Sequence, residues 1–221
     1  MSDIMVSVRG EHELRVAPER AVVRLTVTAD GPQRGAVVER IAALAEPLRH
    51  ELAAHESSGA VAEWSSERIS VWADRPWNAD GAQLALVHHG SIGLTAEFAD
   101  TTAASDWVAS VGLRDGVRVD GIDWRLTPET RAAREKEAAT AAVGVAVARA
   151  TAYASALGLS TVTPLEIADL GLLGHPDQGG APMPKMMRAA AFADVGSAPD
   201  LGLRPADIVV SAAVEARFSA R

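Results

Sequence analysis

The chain is expected to adopt an α+β fold, with a largely antiparallel sheet, or sheets, of strand pairs and helices packed on one face. Three observations carry this reading. Runs of alternating apolar and polar residues occur near both ends and in the middle of the sequence, and such period-two runs are half-buried strands. Two long segments switch to apolar residues three and four apart, and one of them is rich in alanine, which is the spacing of helices. The strands come mostly in neighbouring pairs, which favours antiparallel pairing with helices gathered on one side.

Residues 4–16 (IMVSVRGEHELRV) and 20–30 (RAVVRLTVTAD) are the first two strands. In the second, Val23, Leu25 and Val27 point one way and Arg24, Thr26 and Thr28 the other. Separated only by Ala17-Pro18-Glu19, the two are expected to pair with each other. From Pro32 to about His55 an apolar stripe through Val37, Ile41, Leu44, Leu48 and Leu52 marks a helix, which Pro47 should kink or split. Residues 61–74 and 84–98 are longer strands joined by RPWNADGAQ, where Asp80-Gly81 is a hairpin signal.

Asp100, Thr101 and Thr102 cap a short helix through Val111, since side-chain oxygens there accept from the first free backbone N–H groups. Residues 117–127 form a strand with Ile122, Trp124 and Leu126 on one side and Gly121 where a bulge fits. A long helix follows from about Pro128 to Leu157, roughly 40 Å at 1.5 Å per residue. Pro128 and Glu129 suit its first turn and Gly158 its stop. VTPLEIADL is another short strand, and residues 171–203 are a long loop rich in Gly and Pro. The final strand, DIVVSAAVEARF, sets Ile208, Val210, Ala212, Val214, Ala216 and Phe218 on one face. A single domain over residues 1–221 is expected. The alternative is two lobes, about 1–100 (ββαββ) and about 101–221 (αβαββ with the long loop).

Ten alanines fall between residues 138 and 158. Ala138, Ala142, Ala146, Ala150 and Ala154 recur every four residues, a row that drifts about 40° per step and is not expected to make one straight seam. Residues 141–148 are apolar nearly all round. That suggests a helix clamped between the sheet and a second surface, either helix 32–55 or another subunit. Gly144 supports clamping, because glycine in a helix costs roughly 1 kcal/mol relative to alanine and propensity does not explain it.

Composition narrows the function. A net charge of −8 without clustered Lys and Arg argues against nucleic acid and anionic membrane surfaces. The absence of cysteine excludes disulfides and thiolate chemistry. Neither a leader nor an uninterrupted apolar run long enough to span a bilayer is visible, so a cytoplasmic protein without membrane insertion is expected. Aromatic residues are only 4% of the chain, which leaves the core to Val, Leu, Ile and Ala.

The opening SVRGEHELRVAPERAVVRLTV, with Val6, Val8, Gly10, Pro18, Glu19, Arg20, Ala21 and Val22 in place, resembles the opening of the SIMPL-domain family. The alanine-spaced helix ending in Leu157-Gly158, and PMPKMMRAAAF followed by a last alternating strand, are similar too. The likeness runs from about residue 4 to 218. Ala206 departs from it, standing where the family often has Gly after Pro. The resemblance implies a non-enzymatic protein of undefined biochemical role, linked to stress responses, signalling partners and oligomeric assembly. It supplies no catalytic residues.

No constellation for chemistry stands out. His88 and His89 are adjacent on a strand and point to opposite faces, so one metal is not expected to bind both. GHPDQGG lacks the Lys of a phosphate loop, and the charges from Arg131 to Glu137 read as a solvated first turn. No catalytic, cofactor or metal site is therefore expected. The candidate interaction surface comprises Trp64, Arg68 and Trp72, taken to lie on one outer face of a strand, with Trp77 in the hairpin and Met183, Met186 and Met187 in the long loop. The expected function is self-association or binding of a protein partner. The rival is a small-molecule binder or enzyme with a pocket between the sheet and the long helix, which converging polar residues would mark; almost none are found.

Overall fold

The computed structural model describes residues 3–173 and 205–221. In chain order its elements are β1 (Ile4–Val16), β2 (Arg20–Gly31), α1 (Arg34–Ser57), β3 (Val61–Ser66), β4 (Ser70–Asp74), β5 (Val87–Phe98), α2 (Thr101–Val111), β6 (Val117–Arg125), α3 (Pro128–Ala156), β7 (Val162–Asp169) and β8 (Ile208–Ala220). All strand pairs are antiparallel, so the fold is α+β. The described residues divide into two compact units, one of 3–16, 128–173 and 207–221, the other of 17–127 with 205–206. Residue 100 falls inside the second unit, between β5 and α2.

The first unit is a three-stranded sheet in the order β1-β8-β7, covered by α3. β1 and β8 pair along their whole length, from Ile4 opposite Ala220 to Val16 opposite Ile208. Val6, Val8, Val214, Ala216 and Phe218 face the helix as its buried floor. Ala138, Ala142, Ala146, Ala150 and Ala154 are all buried, so the four-residue row is a buried line that drifts around the helix, not a straight seam. Its drift follows the twist of the paired strands beneath it.

Gly10 of β1 permits this contact. A Cβ there would overlap the carbonyl oxygen of Ala142 and stand 2.8 Å from the nitrogen and 3.0 Å from the Cβ of Ala146, so strand and helix backbones touch. Arg149 adds a hydrogen bond from its guanidinium to the Arg9 carbonyl at 2.7 Å. Within the described residues of the first unit no second surface covers α3: Val147 and Tyr153 are exposed, and a Cβ on Gly144 would meet nothing within 4 Å. Gly144 therefore has no steric reason among the described residues. Gly158, at φ +77°, ends the helix in the left-handed region that glycine tolerates best.

The second unit is a five-stranded sheet in which β2 lies between β5 and β6, while β3 and β4 share the far edge of β5. β1 and β2 do not pair, contrary to expectation. A three-residue hairpin ordinarily needs a residue at positive φ, and Ala17-Pro18-Glu19 offers no Gly or Asn. Glu19 instead joins β6, its N–H donating to the Arg125 carbonyl at 2.9 Å while its carboxylate accepts from the N–H and hydroxyl of Thr127.

Val37, Ile41, Ala45, Leu48 and Leu52 bury one side of α1 against the sheet. The helix is not split at Pro47. That proline lies on the exposed side, where the carbonyl it leaves unbonded, that of Ala43, is open to water. Asp100 caps α2 as expected, accepting from the N–H groups of Thr102 at 2.8 Å and Ala103 at 3.1 Å. The β6 bulge falls at the expected place, with the register shifting between Gly121 and Val119. Large side chains such as Phe98, Leu25 and Trp107 fill this core.

The two packing findings are separable. Gly144→Ala is expected to raise unfolding free energy by about 0.5–1 kcal/mol, because nothing opposes the gain in helix propensity. Ala146→Leu should lower it by about 1–3 kcal/mol through overpacking. Urea denaturation of both variants measures the two signs.

Candidate functional site

β3 and β4 run one after the other along β5, and the register slips between them. Ser66 faces Leu94 and Ser70 faces Ser91, so four residues on one side span three on the other. A slip of one residue turns every later side chain to the opposite face. Trp64, opposite Ala96, is half-buried against the core, and its indole N–H donates to Glu56 at 3.1 Å. Trp72, opposite His89, stands on the outer face and is 51% exposed.

The two tryptophans therefore do not share a face. Even spacing decides the matter only along an unbroken strand, and Glu67–Ile69 is not strand. Ile69 and Val71 are on the core side. Arg68 is exposed, and Trp77 is exposed in the hairpin beyond β4, bridged to Gln83 across a turn with Gly81 at φ +75°. Met183, Met186 and Met187 lie outside the described residues.

Beside Trp72 the structure assembles a cluster that sequence reading missed. His89 sits between two carboxylates, with Nδ1 2.7 Å from Asp30 of β2 and Nε2 3.0 Å from Asp74 of β4. The Trp72 indole stacks on the imidazole with centroids 5.7 Å apart and planes 25° from parallel. Asp30 and Asp74 lie far from His89 in the chain, and only strand pairing brings them to it: Asp30 is its direct partner in β2, and Asp74 is two residues from its partner Trp72. The carboxylates bind opposite nitrogens of one ring, so they do not converge on a point. His88 faces the other side, with its Nδ1 buried and unpartnered. Among the described residues no group of three or more His, Asp or Glu is placed to hold a metal ion.

The outer face of the second unit's sheet carries charge in pairs. Arg24 and Arg125 both reach Asp123, at 3.7 and 2.6 Å, and Arg20 reaches Glu97 at 3.5 Å. Partial burial pushes the Asp120 carboxyl up, but the Thr26 hydroxyl and the Arg118 guanidinium outweigh it and hold its pKa below the usual value. A shallow groove of about 300 Å³ on this face is lined by Arg24, Glu63, Glu97 and Arg125 among others, and Arg24, Glu97 and Arg125 are in ion pairs. Arg131 with Glu135 and Arg134 with Glu137 form solvated ion pairs at the start of α3.

The first unit offers a different surface. A groove of about 340 Å³ runs between α3 and the β7–β8 side of its sheet, lined by Val143, Val147, Leu165, Ile167 and Phe218. Its one ionisable side chain, Glu166, is paired with Arg217 at 2.8 Å. Leu165 and Ile167 are each 56% exposed and Val147 is 43% exposed. β7 pairs only with β8 among the described residues, leaving its outer edge free.

The profile of SIMPL, described as a protein of unknown function (DUF541), matches residues 6–218. The chain belongs to the SIMPL family. The match spans both units of this SIMPL chain, including Gly10, the alanine row and β8 as far as Phe218. No curated protein matches the chain. Among the described residues no helix of the SIMPL fold is long and apolar enough to cross a membrane.

The changed placement of the tryptophans has a thermodynamic signature. Trp64→Ser should cost about 2 kcal/mol, part of the loss usual for a fully buried Trp. Trp72→Ser should cost less than about 1 kcal/mol. Thermal unfolding of the two variants checks the ranking.

Proposed function

We propose that this SIMPL protein is non-enzymatic and acts by contact, with two copies meeting through the groove between α3 and β7. The observation that carries the reading is the half-exposed set Val147, Leu165 and Ile167 beside the free edge of β7. Exposed edges are ordinarily blunted by charge, by proline or by a cover. β7 has Pro164 and a bulge at Leu165 near one end, but the bulged residue is itself apolar and Ile167 follows beyond it.

A second copy is the occupant that fits best. The same strand can always meet itself antiparallel about a two-fold axis, so one patch serves both partners. In such a pairing centred on Ile167, past the bulge, Glu166 would face Ala168 and Asp169 would face Leu165 of the other copy, so no like charges are opposed. Stress or signalling roles, which the family resemblance implies, would then be exercised through the paired surface or a protein bound to it. A second reading, an apolar small molecule in the same groove, is favoured by the groove's place between sheet and long helix. Against it as a reactive site stands the pairing of Glu166 with Arg217.

Size exclusion with light scattering tests the proposal on the full chain. A mass twice that of the chain is expected, falling to one chain in Ile167→Lys, which adds an edge charge of the kind that prevents pairing. A strict monomer at high concentration, or an unchanged dimer in that variant, would contradict it. A monomer whose groove takes up an apolar dye, with Ile167→Lys abolishing uptake, would favour the second reading.

A further inference from the structure

β4 is held to its sheet by few contacts. It is five residues long, and of these only Val71 is not exposed. Beyond its backbone pairing with β5 and the Val71 side chain on the core side, three polar or ring contacts fasten it. Arg34 of α1 donates to the Val71 carbonyl at 3.1 Å, Trp72 stacks on His89, and Asp74 bonds the His89 ring. The last two both depend on His89, whose other nitrogen is fixed to Asp30 of β2.

The two ring distances, 2.7 and 3.0 Å, restrict the imidazole's protonation. A carboxylate at neutral pH only accepts hydrogen bonds, and a neutral imidazole has a single N–H. Only the imidazolium can donate to Asp30 and Asp74 together. The neutral ring would turn a lone pair toward one carboxylate at hydrogen-bond distance, a repulsive contact. Stacking on Trp72 favours the charged ring further, since an indole face attracts a cation.

We propose that Asp30, His89 and Asp74 form a pH-sensitive latch that holds β4 on β5, closed when the imidazole is doubly protonated and released when it is neutral. Release frees the β5 edge along Val87–Ser91, where β4 pairs, and unstacks Trp72. The charged and titratable groups around the latch are few. Asp30 faces the ring from β2 and Asp74 from β4; within β5, His88 points to the opposite side, and Arg34 of α1 is engaged with the Val71 carbonyl.

The direction of the response follows from linkage. Hydrogen bonds from Asp74 first and Asp30 second raise the His89 pKa above its ordinary value of 6.5, against a smaller opposing effect of burial. A histidine raised on folding contributes stability that is complete below the unfolded value and is lost as pH climbs through the folded one. The latch thus opens on the alkaline side of 6.5. Its carboxylates are exposed, so added salt should weaken it.

The test pairs nitrogen-15 NMR of the histidine rings with amide hydrogen exchange on the full chain, from about pH 6 to about pH 9. Exchange is expressed as protection relative to the unfolded chain, which cancels the intrinsic pH dependence. At the acid end both His89 nitrogens should be protonated. Protection of the Val71–Asp74 amides should then fall as His89 titrates, about tenfold for each unit by which its midpoint exceeds 6.5. β3 amides should not change, and His89→Gln should abolish the step while lowering β4 protection throughout. Constant β4 protection across the titration, an equal fall in β3, or the same step in His89→Gln would overturn the latch.

Discussion

The contact between the backbone of Gly10 and the alanine row of α3 sets the terms for the first unit. Alanine methyl groups bury little area each, and dispersion falls off within a fraction of an ångström. A helix that presents Ala138, Ala142, Ala146, Ala150 and Ala154 to its sheet must therefore lie very close to gain anything. Gly10 allows that approach, since any Cβ there would meet the helix backbone. The second unit solves the same problem with size, filling its core with Phe98, Trp107 and long aliphatic side chains. The two halves of the fold thus rest on different kinds of packing, close approach in one and volume in the other.

This difference bears on where each unit can make contacts. A thin core leaves the flank of α3 close to the sheet, so Val147 and the β7 side chains come together at the surface as one groove. The thicker core of the second unit keeps its apolar residues inside and leaves an outer face of paired charges, interrupted by Trp72 over His89. The proposed association rests on the first surface and the proposed pH response on the second because of what each presents: unpaired apolar area beside an open strand edge, and an imidazole held between two carboxylates.

Much of this was legible in the residues. Alternation placed the strands, apolar spacing and Asp100 placed α1 and α2, and the family resemblance covered the span that the profile matches. What failed was whatever depends on pairing. The neighbours β1 and β2 separate because Ala17-Pro18-Glu19 lacks the Gly or Asn that a three-residue hairpin turn needs. Trp64 and Trp72 came out on opposite faces because one extra residue near Glu67 reverses the alternation, which no count along the chain reveals. Asp30, Asp74 and His89 had no shared motif; register alone unites them. Helix propensity singles out Gly144, but the tight contact is made by Gly10, in a strand whose alternation carries no sign of it.

The most direct test of the close approach is the urea unfolding free energy of Gly10→Ala. Gly10 does not have a positive φ, so on backbone grounds alanine would be tolerated and would add about 0.4–1 kcal/mol by restricting the unfolded chain. The clash with Ala142 and Ala146 reverses that sign, and a loss of about 3 kcal/mol, the upper end for overpacking, is expected. A variant as stable as the parent, or more so, would show that helix and strand do not touch there and would remove the basis of this account.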